Sequence, residues 1–220
     1  MTYKIVFCDV DGTLLNKEHR LLDSTLKSIK ALQEKNLPFV IVTARGPSGI
    51  YPIFKRYKFV CPMVCFSGGL IIDYNGQVLY SNGFTKGTAK KLINFIEKEN
   101  LDCTWNIYSM DNWIVKDRAD ERVAREESIV RSSDILTEIM NKNISKGESI
   151  EFLCKKWDID IKETVAFGDH FNDLEMLEKV GKPFLMENAP QELKERIGNV
   201  TFSNDADGIY HGLKQIGLVD

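Results

Sequence analysis

Asp9 and Asp11 stand two residues apart, directly after the apolar run Ile5-Val6-Phe7-Cys8. Side chains at i and i+2 of a strand share one face. Both carboxylates therefore crowd the carboxyl end of that strand, where open α/β sheets bind ligands. Two crowded anions need a cation or a shared proton to relieve them. Gly12 permits a sharp turn and leaves its N–H open to an anion. The set suits a nucleophilic carboxylate, a second carboxylate for acid/base work and a divalent metal. A plain Asp-Gly turn is the simpler alternative. An EF-hand loop is excluded, because its glycine belongs at position six and Gly12 is fourth from Asp9.

Three further segments place polar groups at strand ends or helix starts. In Thr43-Ala44-Arg45-Gly46, a hydroxyl and exposed backbone N–H groups could hold an oxyanion; alternatively Thr43 only ends a strand. Ser145 and Glu148 have capping-box spacing, which puts Lys146 in a first helical turn, where the dipole disfavours a cation. A lysine placed against that preference either neutralises an anion or lies at the surface. Asp169, in Gly168-Asp169-His170-Phe171-Asn172-Asp173, is a third strand-end carboxylate suited to a hard cation. Asn172 or Asp173 could also cap the helix that follows. His19, His170 and His211 lack metal-ligand spacing.

Elements that alternate between strand and helix must position these groups. The segments 4–8, 39–42, 63–66, 164–167, 183–186 and 199–202 read as strands, the first continuous and apolar as a strand buried on both faces should be. Leu26, Ile29 and Leu32 mark a helix that ends at Asn36. The alternation predicts an α/β fold, a doubly wound parallel sheet. Residues 70–73 and 77–80 flank Tyr74-Asn75-Gly76 as a hairpin. Residues 84–141 read as an inserted small α+β domain: helix 85–100, strands 103–108 and 113–116, helix 118–127, strands 128–131 and 135–140. Trp105 and Tyr108 read as its core and 118–127 as a charged helix face; Arg45, Trp113 and Arg118 are candidates for substrate contact. The larger domain is then discontinuous, 1–83 plus 142–220.

With 29 basic and 32 acidic residues among 220, the formal charge is −3, which argues against a nucleic-acid partner. The most apolar stretch, 59–72, is interrupted well short of the roughly 20 apolar residues of a span, so no membrane partner is expected. The five cysteines lack a C-x-x-C spacing and read as reduced core residues of a cytoplasmic protein. No long apolar face is left over, so a monomer is expected.

Taken in order, the four segments resemble the haloacid dehalogenase (HAD) superfamily of phosphohydrolases, its Cof-like branch with a type IIB cap. The resemblance rests on Asp9-x-Asp11-Gly12-Thr13-Leu14, on Thr43 and Lys146, and on Gly168-Asp169-x-x-Asn172-Asp173-x-x-Met176. The stretches Glu187-Asn188-Ala189 and Asn204-Asp205-Ala206-Asp207-Gly208-Ile209 add to it. It covers the whole chain, with 84–141 as the cap. It implies a Mg²⁺-dependent phosphomonoester hydrolase acting on a small phosphorylated metabolite, a sugar phosphate first. Asp9 would form an aspartyl-phosphate and Asp11 would be the acid/base. Gly12, Thr43, Ala44, Arg45, Lys146 and Asn172 would bind phosphate or substrate. Asp9, Asp11 (through its backbone carbonyl), Asp169 and Asp173 would serve the metal. The chain departs from the family in Ala44, where glycine is usual, in Ser67-Gly68-Gly69, where Asn-Gly-Ala is common, and in a short cap. A phosphotransferase or phosphomutase with the same intermediate, and a non-catalytic phospholigand-binding regulator, are the alternatives.

Overall fold

Among the described residues, strand β1 (Ile5–Cys8) lies in the interior of a seven-stranded sheet. On one side follow β2 (Phe39–Val42), β3 (Met63–Cys65), β4 (Leu70–Ile72) and β5 (Val78–Ser81); on the other follow β8 (Thr164–Gly168) and β9 (Lys182–Leu185). The computed structural model describes residues 3–110, 112–120 and 139–220. Neighbours from β3 through β9 pair in parallel, and β4 and β5 add an antiparallel edge. The β4–β5 turn closes as its sequence predicts: Gly76 has φ +78, and the Asp73 carboxylate accepts from the Asn75 and Gln77 N–H groups.

The parallel strands are apolar on both faces because both are covered. Val6 and Cys8, Phe39 and Ile41, and Val165 and Phe167 point into one core, with helices α1 (Asp23–Glu34), α2 (Tyr51–Tyr57) and α7 (Gly208–Gln215) packed there. Ile5 and Phe7, Val40 and Val42, and Ala166 point the other way, against α4 (Lys146–Lys156), α5 (Leu174–Lys179) and α6 (Gln191–Ile197). None of the five cysteines is joined in a disulfide, and four are buried. Among the described residues no helix is long and apolar enough to cross a membrane.

Between β5 and α4 lie helix α3 (Lys86–Lys98), capped by the Thr85 hydroxyl, and a separate antiparallel pair, β6 (Asn106–Ser109) and β7 (Asn112–Val115). The expected helix 118–127 falls largely outside the described residues, as do strand 128–131 and most of 135–140. Two expectations need correction. Residues 199–202 form only a bridge, Val200 to Leu185; Val200 and Phe202 are exposed and only Thr201 is buried, so the segment lacks a buried apolar face to hold a full strand. Tyr108 is no core residue: it is 46% exposed, and its ring lies 5.9 Å from that of Phe66.

Candidate active site

The sheet register assembles the site. Cys8 is level with Ile41 on β2 and Phe167 on β8. The residues just beyond, Asp9, Thr43 and Asp169, therefore emerge on one rim. The strand order reverses beside β1, so this rim lies at a topological switch point, where ligand crevices form. Gly12 has φ +81, and a side chain there would collide with the Asp169 carboxylate. The glycine thus permits both the turn and the close approach.

Lys146 is the central cation. Its side chain is 1% exposed, and its Nζ lies 2.5 Å from Asp9 Oδ1 and 2.6 Å from Asp173 Oδ1. The other Asp173 oxygen accepts from the backbone N–H groups of Asp169 and His170. Asp169 is oriented by Thr13 Oγ1, which donates to its Oδ1 at 2.8 Å, and by Asn188 Nδ2, 3.2 Å from its Oδ2. Asn188 also donates to the Gly12 carbonyl. Burial pushes the Asp9 carboxyl well above the usual carboxylate range; Asp173 and Asp169 push the same way and Lys146 opposes them. Burial would lower the Lys146 ammonium, but Asp173 and Asp9 outweigh it and hold it protonated.

Three buried carboxylates thus face one ammonium. One oxygen from each of Asp9, Asp169 and Asp173 lies within 4.8 Å of the others. A set of hard oxygen donors with excess negative charge suits Mg²⁺ or a similar ion, so the residues present fit the metal that the family implies.

Asp11 points elsewhere. Its carboxylate accepts a fork from Arg45, Nε to Oδ2 at 2.8 Å and Nη2 to Oδ1 at 2.5 Å. Arg45 Nη1 also donates to the Gly49 carbonyl. From the sequence Arg45 is a candidate for phosphate or substrate; the structure places its guanidinium on Asp11. Thr43 is buried and its hydroxyl accepts from the Arg45 N–H. Asn172 is exposed beside buried Asp173, and Arg118 is exposed as well. Thr13 and Asn188 were missed as functional residues. Asn188 follows β9 by three positions, so the strand-end rule that found Asp9 and Asp169 could have found it.

The chain matches the haloacid dehalogenase-like hydrolase family model over residues 6–128 and 118–213. It belongs to the haloacid dehalogenase-like hydrolases. A Haemophilus influenzae protein provisionally named a phosphatase is 32% identical, across 95% of this chain and 96% of its own. The Bacillus subtilis phosphatase YwpJ is 23% identical, across 97% and 99%. The fold is shared with a solved Thermotoga maritima protein (TM-score 0.85, 23% identity, 100% and 99% covered). It is also shared with the subclass IIB sugar phosphatase BT4131 (TM-score 0.81, 22% identity, 98% and 100% covered). This HAD-family chain is a phosphatase of the HAD type.

The Lys146 helix start depends on one more glycine. Gly68 has φ +115, and a Cβ there would strike the Ser145 carbonyl, one residue before Lys146. Gly68→Ala is expected to lower stability by about 1–3 kcal/mol, the usual cost of a strained backbone. Urea midpoints measure it; an unchanged midpoint would show that the loop yields freely.

Proposed function

We propose that this chain is a Mg²⁺-dependent phosphomonoester hydrolase, acting on a small phosphorylated metabolite through an aspartyl-phosphate on Asp9. A sugar phosphate is the favoured class. The observation that carries the reading is the buried Asp9, paired with Lys146 inside a carboxylate cluster one cation short of balance. A carboxylate repels a phosphate, so such a nucleophile works only where positive charge is built around it.

In this reading an Asp9 oxygen attacks phosphorus, and the bond to the ester oxygen breaks. The leaving oxygen takes a proton from Asp11. A water then attacks the phosphoryl group on Asp9 and gives its proton to Asp11, which frees phosphate and regenerates Asp9. Positioned acid–base groups of this kind contribute about 10²–10⁴-fold. Lys146, the Thr43 hydroxyl, Asn172 and the Gly12 and Ala44 N–H groups would grip the phosphoryl oxygens. Mg²⁺ would be held by the Asp9 carboxylate, the Asp11 carbonyl and Asp169, with Asp173 in support. When bound, it offsets the repulsion between carboxylate and phosphate. The Arg45 fork occupies both Asp11 oxygens, so Arg45 must release one of them, and Asp11 take up a proton from solvent there, before it can serve as the acid of the first step.

Residues 84–141 would form the cap, over a core of 1–83 and 142–220. Contacts support this. The Tyr108 ring meets Phe66, which packs 2.7 Å from the position of a Cβ on Gly46, and the Met110 carbonyl lies 3.7 Å from the same position. The hairpin tip therefore sits over the Arg45–Gly46 turn, where closure would exclude water between the two steps.

The test is phosphate release from a panel of phosphorylated sugars, nucleotides, flavins and phosphoglycolate, with Mg²⁺ and with EDTA. Release that requires Mg²⁺ is expected, with sugar phosphates first. No release from any substrate would overturn the hydrolase reading, and an isomeric product without free phosphate would identify a mutase.

A further inference from the structure

Lys146 carries its charge on a flexible four-carbon stem from the first turn of a helix, an end that disfavours cations. Holding that ammonium 2.5 Å from Asp9 demands that the helix start itself be fixed. A second lysine, Lys179 at the end of α5, lies outside the carboxylate cluster and faces that helix start. Its Nζ is 2.7 Å from Glu148 and 3.4 Å from Glu151, both on α4, and 2.8 Å from Glu175 on its own helix. Glu175 in turn stands against Gly147, in the first turn of α4. Its Cγ sits 2.6 Å from where a Cβ on Gly147 would stand, so it packs directly on the backbone beside Lys146.

We infer that Lys179 and Glu175 are positioning residues that hold Lys146 on the nucleophile and thereby set the affinity of the site for phosphate. The geometry gives the reason. α5 starts directly after Asp173, and α4 starts with Lys146. Lys146 and the Asp173 carboxylate that shares it with Asp9 thus sit at two different helix starts. Lys179 is the ammonium that ties those helices together, through carboxylates of both. Ordinary exposed ion pairs contribute little, but this lysine is 22% exposed and meets three acceptors. The effect on phosphate rests on the functional reading above; the effect on Lys146 does not.

The experiment compares Lys179→Met, Lys179→Arg and Glu175→Gln with a control, Lys4→Met, which removes the exposed pair with Glu163. One readout is the lysine-ammonium ¹⁵N NMR signal of Lys146, assigned with Lys146→Arg. A buried ammonium held by two carboxylates exchanges slowly and should be visible. Lys179→Met is expected to lose that signal, while Lys179→Arg and Lys4→Met keep it. Glu175→Gln, which preserves the shape against Gly147, should fall between. The second readout is the dissociation constant of inorganic phosphate. It is expected to weaken about tenfold in Lys179→Met, as removal of outer partners of site ligands typically does, and to recover in Lys179→Arg. A Lys179→Met protein that keeps both the signal and phosphate affinity within twofold overturns the inference. A wild-type protein that neither binds phosphate nor turns over any ester sinks the functional reading instead, and the ammonium signal still decides the positioning.

Discussion

Asp9→Asn is expected to abolish turnover and, in EDTA, to make the fold more stable. Under the mechanism proposed above, in which Asp9 is the covalent nucleophile, its loss should lower turnover on the order of 10⁴–10⁶-fold, as in enzymes whose catalytic groups act as a unit. The gain in stability follows from charge. Asp9 is buried beside Asp173 and Asp169, and its carboxyl is pushed up by that burial and by those neighbours. A group whose folded pKa lies above its unfolded one favours the folded state most when protonated. Metal-free wild type is therefore penalised at neutral pH, and the penalty disappears as pH falls through the folded pKa of Asp9. Asparagine keeps the shape and removes the anion. Urea midpoints in EDTA should be higher for Asp9→Asn at pH 7, and the difference should shrink on acidification. Mg²⁺ should stabilise the wild type more than the variant. A variant that is less stable in EDTA would show that the Asp9–Lys146 pair, and not carboxylate repulsion, dominates there.

The same residues show how far a sequence reading reaches. Asp9 and Asp169 were legible because each ends an apolar strand, and parallel neighbours in register must bring such ends to one rim. Lys146 was legible as an anomaly, a cation at a helix start behind a good cap. Its partners were not, because Asp9 lies 137 residues away in sequence. Arg45 was assigned to substrate on type and place alone. The fork onto Asp11 depends on how two loops turn, which periodicity does not encode. Lys179 shows the limit most clearly. Its i,i+4 relation to Glu175 is visible as an ordinary helical pair, whereas Glu148 and Glu151 come from another helix. Residues 199–202 failed the other way: their two apolar residues, Val200 and Phe202, are exposed, and the sheet offers the segment only a bridge at its edge.

Lys146→Met should have the opposite effect on stability from Asp9→Asn and the same direction of effect on turnover. Methionine has similar length and no charge. It leaves Asp9 and Asp173 buried without their shared ammonium. Removing one partner of a buried pair typically costs about 3–5 kcal/mol, because the remaining charge is neither solvated nor paired. Turnover should fall by about 10²–10³-fold or more, the scale for losing one preorganised electrostatic contact to the reacting group. Chemical denaturation and steady-state rates measure the two effects separately. The double variant decides the cause. With Asp9 already asparagine, removing Lys146 strands one carboxylate instead of two, so its cost should be clearly smaller than in the wild type. Neighbours in one charge network are expected to be non-additive in this way. Additive costs would mean that Lys146 stabilises the fold through packing of its stem, and the charge balance at Asp9 would then not be what holds the rim together.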